Sequence, residues 1–237
     1  MPLLKIVPIE IRRRITKQNP RRKKGQKLDA MQEIKKLISE DPEIAKTNEM
    51  SRFPNFGFEY RGGITELYNS IIRSRNKKPK IMSIGPGLGL DLAELNIDLN
   101  SVGIESSIDV LSLQKLVNIN ILKLLNGKDY SQNVALEEIF SNPGKYKSVI
   151  RELLGKYDFL IAALSAGIYT NYSTHNCFFM FLMLAPQGEA YIDVNHFDED
   201  KFRQMVKNHN KRYGTDLNFK IENVTKTIER IKITRIS

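Results

Sequence analysis

Residues 80–95 read KIMSIGPGLGLDLAEL, and their pattern is the most informative in the chain about its fold class. It begins with an apolar run at 81–84 that has the length and composition of a buried β-strand. The glycine-rich loop at 85–89 interrupts the run, and a helical pattern follows from Leu90. Glycines let a ligand lie against the main chain, and a helix start adds unpaired N–H groups and the positive end of its dipole. The stretch therefore predicts a strand, a ligand-binding loop and a helix.

The composition favours a protein that folds around a core of its own. The chain has 237 residues, of which 41% are hydrophobic, with one cysteine and three histidines. These counts exclude an intramolecular disulfide and do not support a zinc cluster. No apolar run approaches the roughly 20 residues needed to span a bilayer, and no secretory-signal pattern is present. We therefore expect a cytoplasmic protein with no membrane span and no metal.

The formal charge of +10 is concentrated at the N-terminus. Residues 1–36 hold 12 Lys and Arg against three acids, a net charge of +9, whereas residues 37–237 are nearly neutral. Basic runs occur at 12–14 and 21–24. Such runs are typical of a solvated, mobile tail, but they are equally consistent with a phosphate-contacting arm. Residues 12–36 therefore predict a nucleic acid or an acidic partner.

Strand and helix patterns alternate through the rest of the chain. The strands are predicted at 81–84, 101–105, 134–136, 157–164, 189–194, 218–224 and 228–234. This alternation predicts an α/β domain with a parallel sheet and helices on both faces, and the last two strands form an antiparallel hairpin. We assign residues 1–50 to a basic N-terminal extension with a helix and residues 51–237 to the α/β domain.

The second predicted strand ends in an acid, Glu105, which is followed by Ser106. Glu105 lies 20 residues beyond Gly85. At this spacing, a carboxylate at the end of the neighbouring strand reaches the ribose hydroxyls of a nucleoside bound on the glycine loop. A carboxylate suits this role because it accepts hydrogen bonds from both hydroxyls. For the residue that flanks the adenine ring, within 126–156, Asp129 is the candidate.

Taken in order, these motifs resemble those of the class I S-adenosylmethionine-dependent methyltransferases, over residues 60–237. Residues 84–89, IGPGLG, resemble the family's G-x-G-x-G loop, and Glu105 stands where the family has its ribose-binding acid. Residues 157–161, YDFLI, are similar to the family's fourth strand. Residues 184–188, LAPQG, are similar to the turn before its fifth strand.

The resemblance implies a Rossmann-like, doubly wound, mostly parallel sheet of seven strands with an antiparallel terminal hairpin. It implies S-adenosyl-L-methionine as the cofactor, lying over the carboxyl ends of the strands. Leu164 is expected to line the pocket near the transferred methyl group, and no catalytic residue is assigned. The residues expected to bind the cofactor are Gly85, Pro86, Gly87, Gly89, Glu105, Ser106 and Leu164.

The sequence departs from the family pattern at Ser83, where the family usually has an acid, and at Gln187, which replaces a glycine. The expected function is a methyltransferase, with RNA as the favoured acceptor because of the basic arm. The alternatives are a small-molecule or protein acceptor, and a non-catalytic binding or scaffold protein, which Ser83 keeps open. An NAD-dependent oxidoreductase is disfavoured because Leu90 occupies the position of the third glycine in its fingerprint.

Overall fold

The computed structural model describes residues 63–74, 78–86, 90–111, 125–130, 136–163, 165–168, 172–225 and 230–237. The basic arm, the boundary at residue 50, Gly87, Gly89 and Leu164 lie outside these residues. The helices are α1 (Gly63–Ser74), α2 (Leu90–Ser101), α3 (Leu136–Ser141), α4 (Lys147–Leu153), α5 (Ser173–Met183) and α6 (Glu199–Tyr213). The strands are β1 (Lys80–Ile84), β2 (Ser107–Leu111), β3 (Tyr157–Ala162), β4 (Leu184–Asp193), β5 (Phe219–Thr225) and β6 (Arg230–Arg235).

The strands form one mixed sheet in the order β2-β1-β3-β4-β6-β5. Strands β1 to β4 pair in parallel, and β6 pairs antiparallel with both β4 and β5. This confirms the predicted α/β class, the mostly parallel sheet and the antiparallel terminal hairpin. The described sheet has six strands rather than the predicted seven. At 134–136, where the other strand was predicted, Leu136 begins α3, and a single parallel bridge joins Val110 of β2 to Asp129.

The second strand lies further along the chain than predicted. Helix α2 extends to Ser101, and β2 begins at Ser107, so the prediction of a strand at 101–105 is wrong. Gly103 has a φ of 84° and ends α2, and the Ile104 N–H donates to the Leu99 carbonyl at 2.9 Å. A glycine in the left-handed conformation is a common way to end a helix. Residues 101–105 therefore form the turn that precedes β2.

Helices cover both faces of the sheet. On one face, the core packs apolar side chains of α3, α4, α5 and α6 against the sheet. On the other, α1 contributes Leu67, Tyr68 and Ile71, and α2 contributes Leu92, Leu95 and Leu99. This doubly wound arrangement is the one that the sequence predicted. No helix among the described residues is long and apolar enough to cross a membrane.

A buried carboxylate links β2 to the two strands that follow it in the sheet, β1 and β3. Asp109 of β2 is 2% exposed and accepts hydrogen bonds from the Lys128 N–H and the Tyr157 hydroxyl, both at 2.8 Å. The ammonium group of Lys80 lies 3.4 Å from the same carboxylate and 4.8 Å from the centre of the Tyr157 ring. A buried charge needs partners of this kind to offset the loss of hydration. Burial raises the pKa of Tyr157, and the Asp109 carboxylate raises it further.

Replacing Tyr157 by Phe is expected to lower the free energy of unfolding by about 1–3 kcal/mol, because Asp109 loses a buried donor while the ring is kept. The measurement is chemical denaturation of the variant and the parent protein. Tyr213→Phe is the matched control, since Tyr213 is 60% exposed. Equal stability of the two variants would show that the Tyr157 hydroxyl does not stabilise the sheet.

Candidate functional site

In this topology, a ligand is expected to bind at the carboxyl ends of β1 and β3. Strand β1 lies between β2 and β3, so the chain leaves β1 in one direction to form β2 and later places β3 on the other side. Helix α2, which follows β1, packs on one face of the sheet, and α5, which follows β3, packs on the other. In open α/β sheets, ligands bind in the crevice outside the carboxyl ends of strands at such a switch point.

Gly85 lies at the end of β1 in this crevice. Its φ is 62°, and its N–H donates to the Leu111 carbonyl of β2 at 2.9 Å. A Cβ atom built on Gly85 would lie 2.7 Å from the Cβ atom of Ser165, which follows β3. Both the backbone conformation and the space therefore require glycine here. Pro86 follows directly and is half-buried.

The turn at 165–168 stands opposite Gly85, and all of its backbone carbonyls accept hydrogen bonds. Ser165 accepts from the Ile168 N–H at 2.9 Å, which closes the turn. The remaining carbonyls accept from the side chains of Asn176 at 2.7 Å, Ser173 at 2.6 Å and Asn195 at 2.7 Å. Donors from α5 and from the loop after β4 thus fix this turn at the carboxyl edge of the sheet.

The N-terminus of α5 lies at this same edge of the sheet. The helix begins at Ser173, and Tyr172 is its N-terminal cap residue without a side-chain capping bond. The Thr174 hydroxyl instead accepts a hydrogen bond from the Asp198 N–H at 3.1 Å. Ser173 and Thr174 therefore bind neighbouring segments of the edge rather than the N–H groups of their own helix.

The end of β4 also lies against the turn at 165–168. A Cβ atom on Gly167 would lie 2.0 Å from the Asp193 carbonyl oxygen, so the turn and the end of β4 touch through their main chains. The Asp193 carboxylate is fully buried, and Arg230 of β6 is only 2% exposed. Arg230 donates two hydrogen bonds to this carboxylate, and the bond from Nη2 to Oδ2 is 2.8 Å long. A paired arginine of this kind orients a buried carboxylate through two parallel bonds.

Two titratable side chains lie beside this edge. Burial raises the pKa of Glu66 in α1, although the charge of Arg230 opposes the shift. Burial, assisted by the charge of Lys201, lowers the pKa of His175 in the first turn of α5. The His175 ring packs edge-on against Tyr172, with 5.9 Å between the ring centres. Burial and the charge of Lys201 both favour the neutral form of the His175 imidazole.

The structure separates the predicted cofactor residues. Gly85 and Pro86 lie at the carboxyl edge, whereas Glu105 and Ser106 precede β2 and lie at the amino edge. The Glu105 carboxylate is 67% exposed and 3.9 Å from the Lys78 ammonium group, just before β1. The Ser106 hydroxyl donates to Asn96 of α2 at 3.0 Å. The prediction that Glu105 lies beside the glycine loop is therefore corrected. Glu105 was expected to end the second strand, but it precedes that strand, which begins at Ser107.

Three residues of the site were not identified from the sequence: Ser165, Gly167 and Asn176. The sequence pattern predicted a strand over 157–164, whereas β3 ends at Ala162. A signal was present in the run Ser165-Ala166-Gly167, because small residues directly after a buried strand indicate close approach of another backbone. Among the described residues, no group of three His, Cys, Asp or Glu side chains is placed to hold a metal ion.

No protein-family model and no curated protein matches the chain. Solved structures do match, and the three described below are methyltransferases. The MycE methyltransferase of mycinamycin biosynthesis, solved with Mg and SAH, is 14% identical with a TM-score of 0.47, over 90% of this chain and 61% of its own. Magnesium protoporphyrin IX methyltransferase from Synechocystis PCC 6803, solved with SAM, is 10% identical with a TM-score of 0.46, over 75% and 80%.

A third match shows how much of a longer protein this chain covers. The CurJ carbon methyltransferase is 12% identical with a TM-score of 0.39, over 68% of this chain. The chain spans about half of that structure, 49% of its length. The chain is thus similar to these three methyltransferases at 10–14% identity, with TM-scores of 0.39 to 0.47.

The glycines of this protein allow the constraints on Gly85 to be tested separately. Gly85→Ala is expected to lower the free energy of unfolding by about 2–5 kcal/mol, since it combines an unfavourable positive φ with overpacking against Ser165. Gly214 has a φ of 64° and open space around its Cβ position, so Gly214→Ala is expected to cost only about 1–2 kcal/mol. Chemical denaturation of the ligand-free variants measures both values.

Gly144→Ala completes the comparison, because a Cβ atom there meets nothing within 4 Å and the φ is not positive. We expect this variant to be as stable as the parent or slightly more stable. If Gly85→Ala is no more destabilising than Gly214→Ala, the contact with Ser165 is not a constraint on the edge of the sheet.

Proposed function

We propose that this protein is an S-adenosylmethionine-dependent methyltransferase whose cofactor lies at the carboxyl ends of β1 and β3. The observation that carries the proposal is the switch point at these strand ends, where Gly85 contacts the turn at 165–168 with no room for a side chain on the glycine. The glycine-loop motif of the sequence and the fold shared with methyltransferases support this choice of cofactor. Gly87, Gly89 and Leu164 remain proposed cofactor contacts.

The chemistry required of this site is compatible with its residues. A bound sulfonium cofactor supplies an activated methyl group, so the main tasks of the protein are to orient the acceptor in line and to exclude water. The turn at 165–168 is held by donors from two elements and provides a fixed wall for this purpose. A base is needed only if the acceptor must lose a proton, and neutral His175 beside the edge is suited to that step.

RNA is the acceptor that we propose, on the basis of charge. The net charge of +9 in residues 1–36, beside a nearly neutral remainder, favours a polyanionic partner. The alternatives from the sequence, a small-molecule or protein acceptor and a non-catalytic binding protein, give different results in the experiments below. For the last of these, Ser83 is the relevant observation, because a buried serine in β1 replaces the acid usual in the family.

Isothermal titration with S-adenosylhomocysteine and with NAD tests the cofactor. We expect heat of binding with the first ligand and none with the second. Glu105→Ala is expected to leave the affinity for S-adenosylhomocysteine unchanged, because Glu105 lies at the amino edge beside Lys78. Failure to bind S-adenosylhomocysteine would refute the proposed function, and a loss of affinity in Glu105→Ala would refute the position that we assign to the ligand.

Transfer of a tritiated methyl group to separate pools of RNA, protein and small molecules tests the acceptor. We expect labelled RNA, and we expect deletion of residues 1–36 to abolish salt-dependent RNA binding while the affinity for S-adenosylhomocysteine is kept. RNA binding that survives the deletion would exclude the arm as the contact. Cofactor binding without transfer to any pool would favour the non-catalytic binding protein.

A further inference from the structure

The Ser165 hydroxyl is buried at the crevice without a hydrogen-bond partner. Ser165 is 3% exposed, and across the described part of the chain its Oγ atom has no donor or acceptor within bonding geometry. The hydroxyl lies 3.5 Å from the position that a Cβ atom on Gly85 would occupy. Most buried polar groups in native proteins have a partner, so an unpaired one at this place requires an explanation.

The turn does not need this hydroxyl to keep its shape. The carbonyls of 165–168 are paired by the Ile168 N–H and by three side chains from α5 and the loop after β4. The orientation of the Asn176 amide is fixed as well, because its Nδ2 atom donates both to the Ala166 carbonyl and to the Glu137 carboxylate at 2.9 Å. The Ser165 side chain therefore contributes a polar atom that the free protein does not use.

We propose that the Ser165 hydroxyl forms a direct hydrogen bond to the bound cofactor. This inference rests on the proposed function. It explains why a polar atom is kept without a partner at the one position where the turn meets the glycine of β1. A hydroxyl both donates and accepts, so it is able to bind the carboxylate or ammonium group of the cofactor's amino-acid end, or a ribose hydroxyl. The partner that the hydroxyl lacks is supplied by the ligand.

The proposal makes a prediction that a structural role does not make. In the free protein, Ser165→Ala removes a buried unpaired group, so its stability should equal or exceed that of the parent. For S-adenosylhomocysteine, the same variant should lose about 5- to 100-fold in affinity, the range expected for one hydrogen bond to a neutral or charged group. Isothermal titration and chemical denaturation of the full chain measure the two effects.

A second ligand identifies the group that is bound. 5′-Methylthioadenosine shares the nucleoside of S-adenosylhomocysteine but lacks the amino-acid end. If the hydroxyl binds that end, Ser165→Ala loses affinity for S-adenosylhomocysteine alone. If it binds the ribose, the variant loses affinity for both ligands by a similar factor. Either result supports the hydrogen bond, and unchanged affinity for both ligands overturns it.

Two further variants serve as controls. Ser74→Ala removes a hydroxyl at the end of α1 that donates to the Ile71 carbonyl at 2.9 Å. Ser74 is far from Ser165 along the chain, so this variant should keep the affinity for S-adenosylhomocysteine. Asn176→Ala removes the bond to the Ala166 carbonyl of the turn and a second bond to Glu137 of α3, and it should lower the stability. If Ser165→Ala also lowers the stability, the hydroxyl has a structural role and the inference is wrong. If the parent protein does not bind S-adenosylhomocysteine, the proposed function fails and the inference with it.

Discussion

The contact between Gly85 and Ser165 is the constraint on which the edge of this sheet depends. It joins the end of β1 to the turn after β3 with no room for a side chain on the glycine, whose Cβ atom would lie 2.7 Å from that of Ser165. Gly167 makes a similar main-chain contact with Asp193 at the end of β4. Because these contacts involve backbone, the spacing of the three strand ends is set by sterics rather than by flexible side chains.

Buried polar groups then fix the strands that these contacts bring together. Asp109 is held by Lys128 and Tyr157 within the sheet, and Asp193 is held by Arg230 near its carboxyl edge. Each buried carboxylate would be costly without its partners, so the pairs disfavour other registers more than they add net stability. At the turn, the Ser165 hydroxyl is buried without a hydrogen-bond partner in the part of the chain that the structure describes, and we propose that the cofactor supplies one.

The position of Glu105 shows where counting residues along a sequence fails. The spacing of 20 residues from Gly85 was correct as a count, but it assumed that Glu105 ends a strand. Residues 101–105 contain the short alternation of Val102 and Ile104, which resembles a strand locally. In the folded chain, Gly103 ends α2 instead, and the fully buried Ile108 and Val110 form the strand beside β1. Long-range pairing with β1 therefore selects residues 107–111 as the strand in place of residues 101–105.

Features that depend on neighbouring residues were predictable from the sequence. These are the strand, glycine and helix order at 80–95 and the antiparallel terminal hairpin. The residues that share the carboxyl edge were not predictable, because Gly85, Ser165 and Asn176 are joined by sheet pairing and by side-chain bonds across the fold. Local patterns carry no information about those distances. The tertiary structure therefore moved Glu105 away from the crevice and placed Ser165 within it.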